Sequence, residues 1–220
     1  MGLGWGIAYQ IFFQNTDLNR SKALILFWGL FASAWLGAKL LFLITSAPTN
    51  FEVMSSNFWL GGGFVFYGGV LASAVFILLL KYFQFNFNVQ TINSLILALV
   101  FGHAIGRVGC FLAGCCFGAP TDWFWGIHLH GTDRHPTQLL ETLGLLVMGF
   151  TFLKIKSSVN LLGYYALFYG LLRFGLENIR GDGVRGEWFF WTPGEWISVF
   201  LVIYGLFLLI KKSKHPTALN

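Results

Sequence analysis

Long runs of apolar residues, separated by short polar segments, dominate the pattern of this 220-residue chain. A helix needs about 20 apolar residues to cross the hydrocarbon core of a bilayer, and most of the runs approach that length. The pattern therefore predicts six transmembrane helices. We expect them at residues 22–45, 60–80, 92–112, 137–153, 161–176 and 196–210.

The amino end of the chain, residues 1–14, is also apolar and aromatic, but it is long enough for only about half of a membrane span. It lacks the basic start and the small-residue cleavage site of a secretory signal. We therefore expect a short or re-entrant helix that stays on the protein. The predicted fold is an all-α, polytopic membrane helix bundle with six full transmembrane helices and a short N-terminal helix, and residues 1–220 form a single integral membrane domain.

Composition and charge agree with this interpretation. Hydrophobic residues make up 56% of the chain and charged residues only 10%, whereas about 25% of the residues in a soluble domain are charged. Lysines and arginines collect at alternate ends of the predicted spans, which marks the cytoplasmic side. The carboxyl terminus is then cytoplasmic, and the loops 46–59, 113–136 and 177–194 face outward. Topology thus explains the basic excess, and no basic and aromatic module suggests nucleic acid.

The third predicted span contains several residues that could take part in binding or catalysis. Ionisable groups at membrane depth are costly, so a functional site is the first hypothesis for them. His103, Arg107 and Cys110 recur at helical spacing and share one face. Arg107 is either an anion ligand or a structural partner of a carboxylate. Small residues on the adjacent strip would let a neighbouring helix approach closely; they are Gly102, Gly106 and Gly109.

A second charged group lies at the end of the fifth span. Arg173, Glu177 and Arg180 are four and seven residues apart and share a helix face. Arg173 and Glu177 could pair within the helix. Alternatively, Arg107 and Arg173 could clamp one phosphate, because a guanidinium fork donates two parallel hydrogen bonds to such a group.

The second outer loop ends in the segment RHPTQLLE, in which Arg134 and His135 precede a proline. Pro136 suits the first turn of a helix, and Glu141 follows about one turn later. His135 could carry a proton near neutral pH, or it could be a hydrogen-bonding surface group.

Six segments now occur in the order of a known family: GAKLLF, GGGFVFYGG, GRVGCFLAGCCFGAPTDWFWGI, RHPTQLLE, YGLLRFGLENIRGD and TPGEWIS. Over roughly residues 36–202 the chain resembles the prolipoprotein diacylglyceryl transferases. The resemblance implies a seven-helix enzyme of the bacterial inner membrane whose site faces the outer leaflet. Such an enzyme moves diacylglyceryl from phosphatidylglycerol to the lipobox cysteine of a preprolipoprotein and releases glycerol phosphate. It implies no metal and no cofactor.

The same resemblance suggests roles for individual residues. Arg107 and Arg173 match the family's two essential arginines and would hold the lipid phosphate. His103 could supply the base, and Tyr67 stands where some family members have a histidine. The other expected substrate contacts are Glu177, Arg180, Arg134 and His135.

The chain departs from the family where the pattern GRxGNFxNGE reads GRVGCFLAGCC. Cys110, Cys115 and Cys116 lie in or beside the altered positions and raise alternatives. They could make this a divergent thiol-dependent enzyme, covalent or redox, or they could be small apolar fillers. Their spacing matches no standard zinc pattern, so we predict no metal site. A non-catalytic lipid-binding protein is a third alternative.

Overall fold

The computed structural model describes residues 2–46, 65–85, 87–155, 159–181 and 190–214. These residues contain seven helices and one two-stranded sheet. The helices are α1 (Gly2–Asn15), α2 (Arg20–Ser46), α3 (Phe66–Tyr82), α4 (Val89–Leu112), α5 (Thr137–Lys154), α6 (Leu161–Glu177) and α7 (Pro193–Lys214), and the strands are β1 (Ile127–Leu129) and β2 (Thr132–Arg134).

The helices follow the predicted apolar runs, and α1 is the short N-terminal helix that we expected. Within the described residues, three helices are long and apolar enough to cross a membrane, over Arg20–Thr45, Val89–Leu112 and Pro193–Lys211. The segment Gly68–Tyr82 is a shorter apolar helix, and the start of its predicted span, 60–64, lies outside the described residues. A helical membrane protein is thus confirmed, whereas full crossings by α3, α5 and α6 stay a prediction.

Large apolar side chains are exposed along the outer faces of these helices. A soluble monomer rarely exposes extensive contiguous apolar surface, but lipid solvates such side chains well. The pattern therefore fits insertion in a bilayer. Examples are Leu40 on α2, Leu78 on α3, Phe150 on α5 and Phe200 on α7.

The chain divides into two compact units, Leu18–Phe87 and the combination of Met1–Asp17 with Asn88–Asn220. In the first unit, α2 packs on α3 where Gly37 meets Gly68. A Cβ atom on either glycine would collide with the carbonyl oxygen of the other. Close approach of membrane helices depends on such small residues. The single membrane domain expected from the sequence stays a prediction.

In the second unit, a polar cluster joins the end of α1 to the start of α4. The Asn88 side chain caps α4 by accepting a hydrogen bond from the Thr91 backbone N–H at 2.7 Å. Asp17 accepts hydrogen bonds from the Asn88 amide and from the Thr91 hydroxyl. Further along, a Cβ atom on Gly102 would lie 3.2 Å from the Cβ of Ala8, so α1 packs closely on α4.

The core of this unit lies among α4, α5 and α6. Its buried members include Val100, Leu145 and Leu161. Helix α7 packs against α6 through glycines. A Cβ atom at Gly205 would lie 2.5 Å from the backbone nitrogen of Leu167 and 2.8 Å from the carbonyl oxygen of Gly163.

We expect Gly205→Val to destabilise the protein by about 1–3 kcal/mol, because the side chain has to push the two backbones apart. The measurement is thermal unfolding in detergent. Gly175→Ala in α6 is the matched control, since a Cβ atom there meets no described atom within 4 Å. Equal unfolding midpoints for Gly205→Val and Gly175→Ala would contradict the close packing of α6 and α7.

The loop between α4 and α5 departs from the all-α expectation, because β1 and β2 form an antiparallel hairpin in it. His130 and Gly131 link the strands with φ angles of 53° and 80°. Both are positive, as a two-residue type I′ turn requires. Histidine followed by glycine is a weaker hairpin signal than asparagine–glycine, so the sequence pattern did not indicate this element.

Candidate functional site: a buried arginine and carboxylate cluster

Helices α4 and α5 bring a buried ion pair together at the centre of the site. Arg107 Nη2 lies 2.7 Å from Glu141 Oε2, and the two side chains are 11% and 3% exposed. His103 Nε2 lies 3.5 Å from Glu141 Oε1. The Tyr169 hydroxyl of α6 donates a hydrogen bond of 3.0 Å to the same oxygen. Glu141 thus connects three helices.

Helical spacing explains why Glu141 faces inward. It shares the buried face of α5 with Gln138, Thr142 and Leu145. The Thr142 hydroxyl donates to the Ala104 carbonyl at 3.3 Å, which aligns α5 with α4 next to the ion pair. A buried carboxylate is tolerated only when it is paired and hydrogen-bonded. Both oxygens of Glu141 meet this condition.

A second cluster lies at the end of α6. Arg173 Nη2 and Glu177 Oε2 are 2.5 Å apart, which confirms the pair that the four-residue spacing predicted. Arg180 Nε lies 3.9 Å from the same oxygen. The Thr192 hydroxyl donates to Glu177 Oε1 at 3.0 Å. Thr192 also exchanges hydrogen bonds with Glu195 as a capping box that starts α7.

The two clusters meet through α6. Tyr169 and Arg173 lie one turn apart on that helix, and Arg173 is within electrostatic reach of Glu141 and Arg180. Among the ion pairs of this site, three guanidinium groups face two carboxylates. Arg107 Nε and Arg173 Nη1 are buried, and neither has a hydrogen-bond partner in the described part of the chain. The site therefore offers buried donors that could meet the oxygens of a ligand.

The glycine strip beside Arg107 differs from the expectation. Gly102 packs against α1, as predicted, but Cβ atoms on Gly106 and Gly109 would meet no described atom within 4 Å. Among the described residues, the close helix approach that small residues allow is therefore seen at Gly102 and not at Gly106 or Gly109.

Arg134 and His135 make contacts within the loop between α4 and α5. The Arg134 guanidinium stacks 4.6 Å above the Phe117 ring and donates from Nε to the Leu129 carbonyl at 3.2 Å. Trp125 Nε1 donates to His135 Nδ1 at 3.0 Å. The neutral His135 ring therefore carries its hydrogen on Nε2. A role for either residue in substrate binding stays a prediction.

The three cysteines lie together where α4 ends, and their Sγ atoms are all within 4.8 Å of one another. All three are free thiols, of which Cys115 is exposed and Cys110 and Cys116 are half-buried. A hydrogen bond from the Cys110 thiol is the main cause that lowers the pKa of Cys116. The positive charges of Arg107 and Arg180 act in the same direction.

Sequence reasoning left three members of the site out of its candidates: Glu141, Tyr169 and Thr192. For Glu141 a signal existed, since a lone carboxylate in an apolar run is expected to be functional or paired. The partner of Tyr169, Glu141, comes from a distant segment, so residues that neighbour Tyr169 in the sequence indicate nothing. For Thr192 a local signal existed, since Thr192 and Glu195 have the spacing of a capping box, but its contact with Glu177 depends on the fold. Of the predicted candidates, Tyr67 lies in the first turn of α3, but its side chain lies outside what the structure describes.

Comparison with known proteins identifies the family. The sequence profile described as prolipoprotein diacylglyceryl transferase matches residues 1–211. The chain is similar to the phosphatidylglycerol–prolipoprotein diacylglyceryl transferase of Clostridium tetani, with 31% identity over 79% of this chain and 74% of the relative. It is also similar to the second enzyme of that name from Clostridium perfringens, with 32% identity over 80% of this chain and 73% of the relative. The chain therefore belongs to the prolipoprotein diacylglyceryl transferase family, a family of transferases.

Proposed function

We propose that this enzyme transfers diacylglyceryl from phosphatidylglycerol to the cysteine thiol of a lipobox in a preprolipoprotein. The observation that carries the proposal is the pair of buried, unpartnered donors on Arg107 and Arg173 among the described residues. A buried donor without an acceptor costs about 1–3 kcal/mol. The oxygens of a phosphodiester would accept from both groups.

Charge supports a phosphate at this position. The ion pairs of the site contain one guanidinium group more than carboxylates. A phosphodiester carries one negative charge, which these guanidinium groups would attract. We propose Arg107 and Arg173 as the direct phosphate ligands, with Arg180 adding positive charge through its contact with Glu177. Arg134 and His135 would border the headgroup from the outer loop.

The proposed reaction is a displacement at the carbon of the diacylglyceryl group that bears the phosphate ester. The sulfur of the acceptor thiolate forms a bond to this carbon, and the bond between the carbon and the phosphate oxygen breaks. The electron pair stays on that oxygen, so glycerol phosphate leaves with an additional negative charge. Preorganised guanidinium groups in a dry site stabilise developing charge of this kind.

The acceptor thiol has to lose its proton, and we propose His103 as the residue that receives it. Its side chain is 26% exposed, so a substrate thiol could reach it, and Nε2 lies 3.5 Å from the Glu141 carboxylate. The carboxylate would orient the ring and stabilise the positive charge that it gains. Glu141 is then a positioning residue in this proposal.

We further propose that the protein is a multi-pass protein of the bacterial inner membrane with six full spans. The arginine cluster would face the outer leaflet, and the carboxyl terminus would lie in the cytoplasm. The support is the distribution of lysines and arginines at alternate ends of the apolar helices.

The test is to incubate the purified protein with phosphatidylglycerol and a lipobox peptide and to analyse the products by mass spectrometry. We expect the peptide cysteine to gain the mass of one diacylglyceryl group. A peptide with serine in place of the cysteine is the matched control and should stay unmodified.

Two results would contradict this proposal. A lipid or acyl adduct on Cys110, Cys115 or Cys116 without peptide modification would indicate a thiol-dependent enzyme on the same scaffold. Tight retention of phospholipid without any adduct would indicate a lipid-binding protein.

A further inference from the structure

The end of α4 brings two cysteines together through a local backbone motif. Gly114 has a φ of 64°, and its N–H donates to the Phe111 carbonyl at 3.0 Å. The N–H of Cys115 donates to the Cys110 carbonyl at 3.1 Å. These two hydrogen bonds define a Schellman motif, in which the residue after the glycine contacts the residue five positions earlier. In this chain that contact joins Cys115 to Cys110.

The third cysteine joins the pair through an uncommon backbone conformation. Cys116 has a φ of 62° although it has a side chain, a conformation that costs about 1–2 kcal/mol. Helix α5 holds it there: the Thr137 hydroxyl donates to the Cys116 carbonyl at 3.0 Å, and the Gln138 amide donates to the Cys115 carbonyl at 2.6 Å. These two hydrogen bonds from α5 stabilise the turn, and the three Sγ atoms come close together.

We propose that Cys110, Cys115 and Cys116 form a binding site for a soft, thiophilic cation, with Cu(I) as the preferred ion. Their Sγ atoms already lie within 4.8 Å of one another. Ligands about 2.3 Å from a shared ion lie about 4 Å apart, so a small closure brings all three sulfurs into range. This site is independent of the proposed transfer reaction.

The number and kind of ligands favour Cu(I) over Zn(II). Structural zinc almost always takes four protein ligands. Among the described residues, the cluster contains three sulfur ligands and no histidine or carboxylate. Thiolates select soft ions, and Cu(I) accepts a three-coordinate arrangement of sulfurs. The cluster therefore fits Cu(I) better than Zn(II).

Access to solvent also suits the binding of a metal ion, which requires the thiols to release their protons. Cys115 is exposed, so an ion or a metal-carrying thiol can approach the cluster without crossing the core.

The experiment is an anaerobic titration of the reduced, full-length protein in detergent with Cu(I), in competition with a chromogenic Cu(I) chelator. We expect one ion per chain. Even a change in the surroundings of a metal ligand lowers affinity by about 10–100-fold, so loss of a ligand should cost at least that much. Cys110→Ser, Cys115→Ser and Cys116→Ser should each show this loss, and the triple variant should not compete with the chelator.

His128→Ala is the matched control. It removes an imidazole, a side chain able to bind copper, from the same loop. Because His128 pairs with Asp133 at the exposed surface, we expect unchanged Cu(I) affinity. Wild-type affinity in the cysteine variants would overturn the proposal, as would tighter binding of Zn(II) than of Cu(I).

A second measurement needs no variant and so does not depend on whether the variants fold. Cu(I) should protect all three thiols of the wild-type protein from alkylation, with one equivalent sufficient for full protection. Peptide mass spectrometry can count the alkylated cysteines. Equal alkylation with and without Cu(I) would overturn the proposal.

Discussion

Arg107→Ala is expected to lower the rate of diacylglyceryl transfer by about 10²–10³-fold, the usual effect of losing one preorganised donor from a developing anion. The variant removes the group whose Nε is buried without an acceptor in the described part of the chain. Arg107→Lys should recover only part of the rate, because an ammonium group keeps the charge but lacks the planar fork. The measurement is the initial rate of lipobox peptide modification.

Two controls separate this effect from misfolding. Arg20→Ala removes an exposed arginine at the start of α2 and should leave the rate unchanged. Thermal unfolding of each variant reports whether the protein remains folded. A folded Arg107→Ala protein with a near wild-type rate would contradict the proposed role of Arg107 in holding the phosphate.

Glu141→Ala is expected to destabilise the protein by about 3–5 kcal/mol, because it leaves the buried Arg107 guanidinium without its carboxylate partner. Glu141 is 3% exposed on its side chain and 2.7 Å from Arg107, so solvent can replace little of the lost interaction. The Tyr169 hydroxyl loses its acceptor as well. The measurement is the free energy of unfolding in mixed detergent micelles.

A double variant sharpens this second prediction. Replacing a whole buried ion pair by apolar residues of similar size is often neutral or stabilising. Arg107→Met combined with Glu141→Leu should therefore regain most of the stability that Glu141→Ala loses, while the transfer rate should stay low because Arg107 is missing. Glu141→Ala with wild-type stability would show that the ion pair contributes nothing, and a double variant as unstable as Glu141→Ala would assign the loss to packing instead.

The arginine cluster could be anticipated only in part. The pair of Arg173 with Glu177 followed from their spacing on one helix, and the structure confirms it. The pair of Arg107 with Glu141 joins two helices across 34 positions of sequence (141 − 107). The sequence marked Arg107 as costly at membrane depth, but it did not indicate that Glu141 would face it. Whether these two side chains meet depends on how α4 packs against α5.

The sequence by itself determined the helical membrane class, the approximate bounds of the helices and the family. Apolar runs carry this information because lipid requires every spanning backbone to be hydrogen-bonded within its own helix. The Schellman motif after α4 is local in the same sense, since Gly114 can adopt a positive φ at little cost.

Tertiary structure alone decided which charged groups meet and that three thiols converge. The backbone of Cys116 illustrates why the sequence did not indicate this arrangement. Its left-handed backbone is unfavourable in isolation, and hydrogen bonds from Thr137 and Gln138 on α5 support it. Contacts between segments distant in sequence have energies that no local pattern encodes, so only the folded chain reveals them.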